Sequence, residues 1–300
     1  MTWRDGVHLS GTPIWCDARR RRDICFVSSV DRVGRTGHGQ LIGTPITLAL
    51  LAAKGDGHLA VPLRQRFTLG TLRLELIPSG RGLGAAALHV DVVGRTVLYA
   101  GGVRTIASPL YEAAEVRACD ALVIDAPLAD GDVLEPLEDV AGRVIEWTRE
   151  QLAAARPTVL VVDSVLDGLE VAARLLAEGV PVAGGKSLRD AVARLATTPA
   201  IRAPGRDPAV VIRVEGDRAK PVDREARALV SLRALGKPAG WAEQFAWPFV
   251  CDRDQLLGWI EQTRARDVFV TGVGADDVAA TLGKRARVIG PPRQMALFAT

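Results

Sequence analysis

Histidine is scarce in this chain: among 300 residues there are only His8, His38, His58 and His89. A histidine-rich metal centre would therefore have few ligands to draw on. The four cysteines, Cys16, Cys25, Cys119 and Cys251, are scattered and form no C-x-x-C pair, which excludes a zinc ribbon or a thioredoxin-type motif. Isolated thiols of this kind fit a reducing compartment. No apolar run approaches the ~18 residues of a membrane span, and no apolar segment follows the first charges as in a signal peptide. The expectation is a cytoplasmic protein with no membrane partner. Lysine is rare while arginine is abundant, together with Ala, Gly and Val, a bias that fits a GC-rich coding sequence and carries no functional signal. The net charge of +3 neither demands nor excludes nucleic acid. Aromatic residues make up 5%, so stacking on single-stranded bases has little support.

What the chain does contain is ordinary globular material, 48% apolar and 24% charged, enough for a sizeable core. The first part reads as short strands, several of them alternating: 23–29, 58–63, 71–78, 87–93 and 95–102. The continuous apolar run 121–128 reads as a buried strand. Residues 132–155 place Leu134, Leu137, Val140, Val144, Ile145 and Trp147 at helical spacing, closed by Pro157. Then the pattern changes. Strand 157–164, helix 166–179 ending at Gly179, a strand and turn, helix 187–197 and strand 209–214 imply a parallel sheet with crossover helices. The end returns to helix 255–265, strand 267–271, helix 275–283 and strand 286–290. This order fits a unit of about residues 156–245 inserted into another built from 1–155 and 246–300.

Several short motifs support this frame. "IWCDARRRRDICFVSSVDRVG" carries a strand ending at Asp17, then "FVS"; "IPSGRGLGAAALHVDVVGRTVLYAGG" follows, then "CDALVIDAPLAD", "FVCDRDQLL", "VFVTGVG" and the tail "GPPRQMALF". In this order they resemble the β-CASP branch of metallo-β-lactamase-fold nucleases, in particular bacterial mRNA 3′-end processing factors and DNA-ligase-associated exonucleases. The resemblance covers nearly the whole chain. It implies an α/β fold, an αββα sandwich with an inserted β-CASP-like α/β cap. It also implies that the positions of the metal ligands hold Ser29, Asp31, Val33, Gly34, Arg81, Gly102, Asp252 and Gly272, while the carboxylates Asp17 and Asp125 are kept.

Those residue types cannot make the zinc centre such nucleases use. Zinc needs imidazole nitrogens and carboxylate oxygens, with a position open for hydroxide. Val33, Gly34, Gly102 and Gly272 offer no side-chain donor, neutral Ser29 is a poor ligand, and Arg81 puts a permanent cation where a metal bridge belongs. The zinc site is expected to be lost, and no catalytic residue is expected. Asp17, Asp31, Asp125 and Asp252 are expected to approach one cleft, where they could take Mg²⁺ or Mn²⁺. The alternative is that Asp17 and Asp125 serve the backbone and Arg81 pairs with one of them. The resemblance then implies an inactive scaffold that binds nucleic acid or an active nuclease, helicase or DNA ligase partner. Its rival is an active RNA or DNA phosphodiesterase with a rebuilt carboxylate site.

The remaining motifs are weaker. Arg19, Arg20, Arg21 and Arg22 form the densest charge run, a solvated turn or, with Arg81, Arg104, Lys186 and Arg253, a phosphate contact. "GRGLG" at 80–84 imitates a dinucleotide loop but precedes an alternating strand, so a turn is expected. "TGVGADD" lies between strand and helix, where it could cradle a phosphate or where Asp276 and Asp277 favour the positive helix end. No G-x-S-x-G elbow accompanies Ser28, Ser29 or Ser164.

Overall fold

The computed structural model describes residues 1–32, 37–195, 200–205, 208–218 and 224–291. Val33, Gly34 and the tail motif from residue 292 onward, all singled out above, lie outside the described residues.

Two sheets face each other. The first holds β1 (Thr2–Trp3), β2 (Val7–His8), β3 (Ile14–Cys16), β4 (Ile24–Phe26), β5 (Gln40–Gly43) and β6 (Leu59–Ala60), in that order. The second runs β18-β17-β11-β10-β9-β8-β7. Its strands are β7 (Arg66–Leu69), β8 (Leu72–Pro78), β9 (Ala86–Val92), β10 (Arg95–Gly101), β11 (Ala121–Asp125), β17 (Asp267–Thr271) and β18 (Ala286–Val288). Alternation decides which side faces which. Leu72, Leu74 and Leu76 of β8, with Leu88, Val90 and Tyr99, meet Ile14, Phe26 and Ile42 of the first sheet in one buried core. The opposite face, through Ile77, Leu98, Leu122 and Ile124, packs on α5 (Arg253–Thr263) and α6 (Ala275–Leu282) through Leu256, Trp259, Ile260 and Val278. Buried on both faces, β11 has no polar side and reads as a continuous apolar run. On the outer face of the first sheet sits α1 (Pro45–Leu50), whose Leu48 packs on Ala18, Cys25, Val27 and Leu41. It starts on Thr44, whose hydroxyl accepts from Thr47 N, with Pro45 in the first turn. The layers are therefore helix, sheet, sheet, helices.

The third sheet is parallel throughout, in the order β13-β14-β12-β15-β16, with β12 (Thr158–Val162), β13 (Val182–Gly184), β14 (Val210–Val214), β15 (Ala226–Val230) and β16 (Glu243–Phe245). Its crossovers use α3 (Val165–Ala177) and α4 (Lys186–Val192), as the pattern predicts. Gly179, just past α3, has φ +73°, the left-handed closure expected of it.

One boundary moves. The helix read at 132–155 is α2 (Leu137–Ala153), which begins only after Pro136, because a residue before proline is driven out of the helical region. Its apolar stripe, Leu137, Val140, Ala141 and Val144, packs with Leu160, Val162 and Leu169 in the core of the third sheet. Phe245, Trp247 and Phe249 belong to that core too. The core around the third sheet thus takes in side chains from Leu137 to Phe249. Among the described residues no helix is long and apolar enough to cross a membrane.

Candidate functional site

Strands β8, β10, β11 and β17 run in one direction, so their carboxyl ends share one edge of the second sheet. The loop after β4 reaches the same place: Ala86 N donates to Ser28 O at 2.8 Å. This edge gathers Asp17, Ser29, Asp31, Arg32, Arg81, Gly102, Asp125 and Gly272.

Asp17 follows β3 with φ +48° and turns its carboxylate inward. It accepts from Ser28 N at 2.8 Å, Ser28 Oγ at 2.5 Å and Tyr99 OH at 2.9 Å. Burial pushes its carboxyl up, against the Ser28 hydrogen bonds and the Arg32 charge. Asp125, at the end of β11, accepts from Thr271 Oγ1 at 3.0 Å and forms an ion pair with Arg32. Asp31 accepts from the Ser29 hydroxyl and from Arg81 at 2.7 Å. Burial works to raise the Asp31 carboxyl, but Arg81, Ser29 and Arg32 outweigh it and hold it below the usual carboxylate range. Arg81 donates its other nitrogen to Asp167 at 3.0 Å, on the first turn of α3. Burial and the like charge of Asp31 raise the Asp167 carboxyl, while Arg81 and Ser164 pull it down.

Arg81 therefore does not pair with Asp17 or Asp125, as the sequence suggested. It bridges Asp31 to the inserted unit, and Arg32 takes Asp125 instead. Asp252 takes no part in these hydrogen bonds. It is the N-cap of α5, accepting from Gln255 N at 2.8 Å while its own N donates to Gln255 Oε1 at 3.3 Å, a reciprocal capping box.

A metal of the kind the family resemblance implies does not fit these donors. The guanidinium of Arg32 is bonded to Asp125 and both oxygens of Asp17 are occupied by hydrogen-bond donors. A Cβ on Gly102 would lie 3.1 Å from Arg32 Nη2, so Arg32 fills the space a ligand there would need. At Gly272, with φ +98°, a Cβ would come within 2.4 Å of Ala126 O and 2.7 Å of Asp125 Oδ1. Among the described residues no group of three or more His, Cys, Asp or Glu side chains is placed to hold an ion. No imidazole compensates: His38 Nδ1 accepts from Arg22 N, and His58 Nδ1 from Leu41 N, both at 3.2 Å and both beside the strands of the first sheet.

One turn along α3, a second charge pair joins the two units. Arg104 Nη1 lies 2.8 Å from both oxygens of Glu170 and 2.8 Å from Tyr111 OH. The Tyr111 hydroxyl and Trp247 Nε1, at 3.2 Å, donate to the same carboxylate. Arg104 is 0% and Glu170 1% exposed, so Arg104 cannot meet a phosphate. Arg253 pairs with Asp277 and Lys186 with Asp190, so neither stands as a free cation. In the run 19–22, Arg20 binds Asp5 at 2.9 Å, and Arg22 donates to Arg4 O at 2.5 Å with its guanidinium 3.7 Å above Trp15. Arg19 N donates to Asp5 O at 2.6 Å, and Arg19 and Arg21 are exposed. The run thus folds back on the first strands. Residues 80–84 form a turn followed by β9, as expected.

Sequence reading missed Arg32, Asp167, Glu170 and Tyr111. Arg32 stands beside Asp31, so the local charge alternation is visible, but nothing local says that it reaches Asp125. Asp167 and Glu170 are spaced i, i+3 on a predicted helix, a one-face signal whose partners lie far along the chain. Compared with known proteins, the chain matches no family model and no curated protein.

The electrostatics give a prediction. Because Asp17 has a raised carboxyl in the fold, its protonated form stabilises below the ordinary value of 3.8, and that contribution is lost as pH rises through the folded-state value. Asp17→Asn keeps the acceptor for Ser28 N, and its amide can donate to the hydroxyls. The variant should match or exceed the wild type at neutral pH, with any advantage vanishing as pH falls toward 4. Urea unfolding of both proteins across that range reads this; a variant whose deficit relative to the wild type is larger at neutral pH than near pH 4 contradicts it.

Proposed function

We propose that this chain is a metallo-β-lactamase-like αββα sandwich with a β-CASP-like insert whose cleft no longer performs metal-dependent hydrolysis. It serves as a scaffold in DNA or RNA processing, binding nucleic acid or an active nuclease, helicase or ligase. One observation carries the reading: guanidiniums of Arg32 and Arg81 hold Asp125 and Asp31 at the edge where a dizinc nuclease would hold metal. A guanidinium offers positive charge and fixed donor directions but no Lewis acidity and no open coordination position. It satisfies the buried carboxylates without activating water. The helix–sheet–sheet–helix layering and the placement of the inserted parallel sheet support the family part of the reading.

Metal content and cleavage test it together. Purified protein is expected to carry far less than one equivalent of zinc, manganese or magnesium. It is expected to leave labelled RNA and DNA, single- and double-stranded, uncut in the presence of added metal. Stoichiometric metal, with cleavage abolished by Asp31→Ala or Asp125→Ala, would instead establish an active phosphodiesterase with a rebuilt carboxylate site.

A further inference from the structure

At the end of the second sheet opposite the carboxylate cluster, positive charge collects. The registers Val97↔Ala121, Ala121↔Asp267 and Val268↔Ala286 align the beginnings of β10, β11, β17 and β18. Six cations stand there: Arg95 at the start of β10, Arg264 and Arg266 between α5 and β17, Lys284 and Arg285 before β18, and Arg287 on β18. Four carboxylates accompany them, among them Asp91, opposite Thr96 across β9 and β10, which accepts from Gly94 N at 2.9 Å. Asp267 binds Arg95 at 2.6 Å, Glu261 pairs with Arg285, and Asp120 accepts from Thr96 N at 2.8 Å and Thr96 Oγ1 at 3.0 Å. Arg266 acts on Asp120 only at longer range. Arg264, Arg266, Lys284 and Arg287 are exposed and form no ion pair among the described residues. With neighbouring strands ~4.8 Å apart, β11, β17 and β18 begin within roughly 10 Å of one another, so these four residues stand at one corner of the sheet.

We propose that this corner docks the phosphate backbone of duplex nucleic acid without reading its sequence. Charge complementarity selects the occupant: a duplex presents one negative charge per ~1.7 Å of axis, so four cations over this span meet several phosphates at once. An acidic protein fits less well, because a protein interface needs buried aromatic or aliphatic anchors. The apolar surface here is limited to Val288 and the tip residue Val93. Single strands fit less well too, since they are held by stacking. The aromatic side chains of these elements face inward, Trp259 being buried and Phe269 packed between the sheets. The inference goes beyond the reading of the cleft and uses none of its residues.

Fluorescence anisotropy with labelled DNA and RNA duplexes of about 20 base pairs tests it, with log K expected to fall against log salt at a slope of about −3 to −4. The variant R264Q/R266Q/K284Q/R287Q should lose at least about tenfold in affinity at low salt and most of that slope. The pair R264Q/K284Q, a lesser perturbation should the fourfold variant fold poorly, should lose about half the slope. Replacing Arg19, Arg20 and Arg21 by Gln should leave binding within about twofold. The proposal is overturned by absent duplex binding at low salt, by binding that survives the corner substitutions but not those at 19–21, or by tighter binding of single strands or poly-glutamate than of duplex. Metal content and cleavage do not enter these readouts, so failure here is separable from failure of the reading of the cleft.

Discussion

Replacing Glu170 with alanine is expected to cost about 3–5 kcal/mol of stability, read as a lowered midpoint in urea unfolding. The size follows from burial. Arg104 is fully enclosed, and without Glu170 its charge stays in the interior with only the Tyr111 hydroxyl beside it. Tyr111 OH and Trp247 Nε1 lose their acceptor in the same step. The double variant Arg104→Met, Glu170→Met removes both charges and should be clearly more stable than either single variant, because the dominant penalty is an unpaired buried ion. Should Glu170→Ala fail to fold, the double variant remains measurable. A single variant losing less than about 1 kcal/mol would show that the pair is not holding the two units together.

Putting histidine at Gly272 should destabilise by on the order of 3 kcal/mol and give no metal binding in return. The position is left-handed, φ +98°, and its would-be Cβ collides with Ala126 O, which is backbone and cannot swing away. Gly272→Ala isolates this part of the cost and should account for most of it. The larger imidazole would then have to share the space with Asp125, whose carboxylate is already bonded to Arg32 and Thr271. Unfolding measurements and metal analysis of Gly272→His and of Gly102→Asp/Gly272→His decide the matter. A variant as stable as the wild type that retains zinc would refute the fit argument.

Much of the architecture was legible because periodicity is local. β17 matches its predicted span, and β8, β9, β10, β12, β14, α5 and α6 lie within one or two residues of theirs. β5, β15, β16 and α1 were not legible. α1 is six residues long and mostly β-branched or leucine, so its pattern is as much strand as helix, and only Thr44-Pro45 marks its start. The home of α2 could not be read, because an amphipathic stripe says that a helix packs and not on what. The cluster divided along the same line. The residues of the "FVS" and "VFVT" motifs come together at one edge, since strand ends in a shared sheet must. Which carboxylate each arginine takes depends on side chains from elements far apart in the chain: Arg32 and Asp125 are 93 positions apart, Arg81 and Asp167 are 86. The capping role of Asp252 was hidden because an aspartate before a helix reads alike as ligand and as cap.

The two arginines that pair with α3, Arg81 and Arg104, have a mechanical consequence. Greasy contacts let two bodies slide past one another at little cost, whereas a planar guanidinium delivers its hydrogens along fixed directions and tolerates little rotation. Arg81 and Arg104 grip the same helix through Asp167 and Glu170. Two such grips on one rod fix both its position and its roll, as two pins hold a hinge leaf where one would let it swing. A displacement of residues 79–84 would therefore be handed to the parallel sheet as a rotation of α3, and the molecule would present its outer surfaces at a constant angle to whatever it meets.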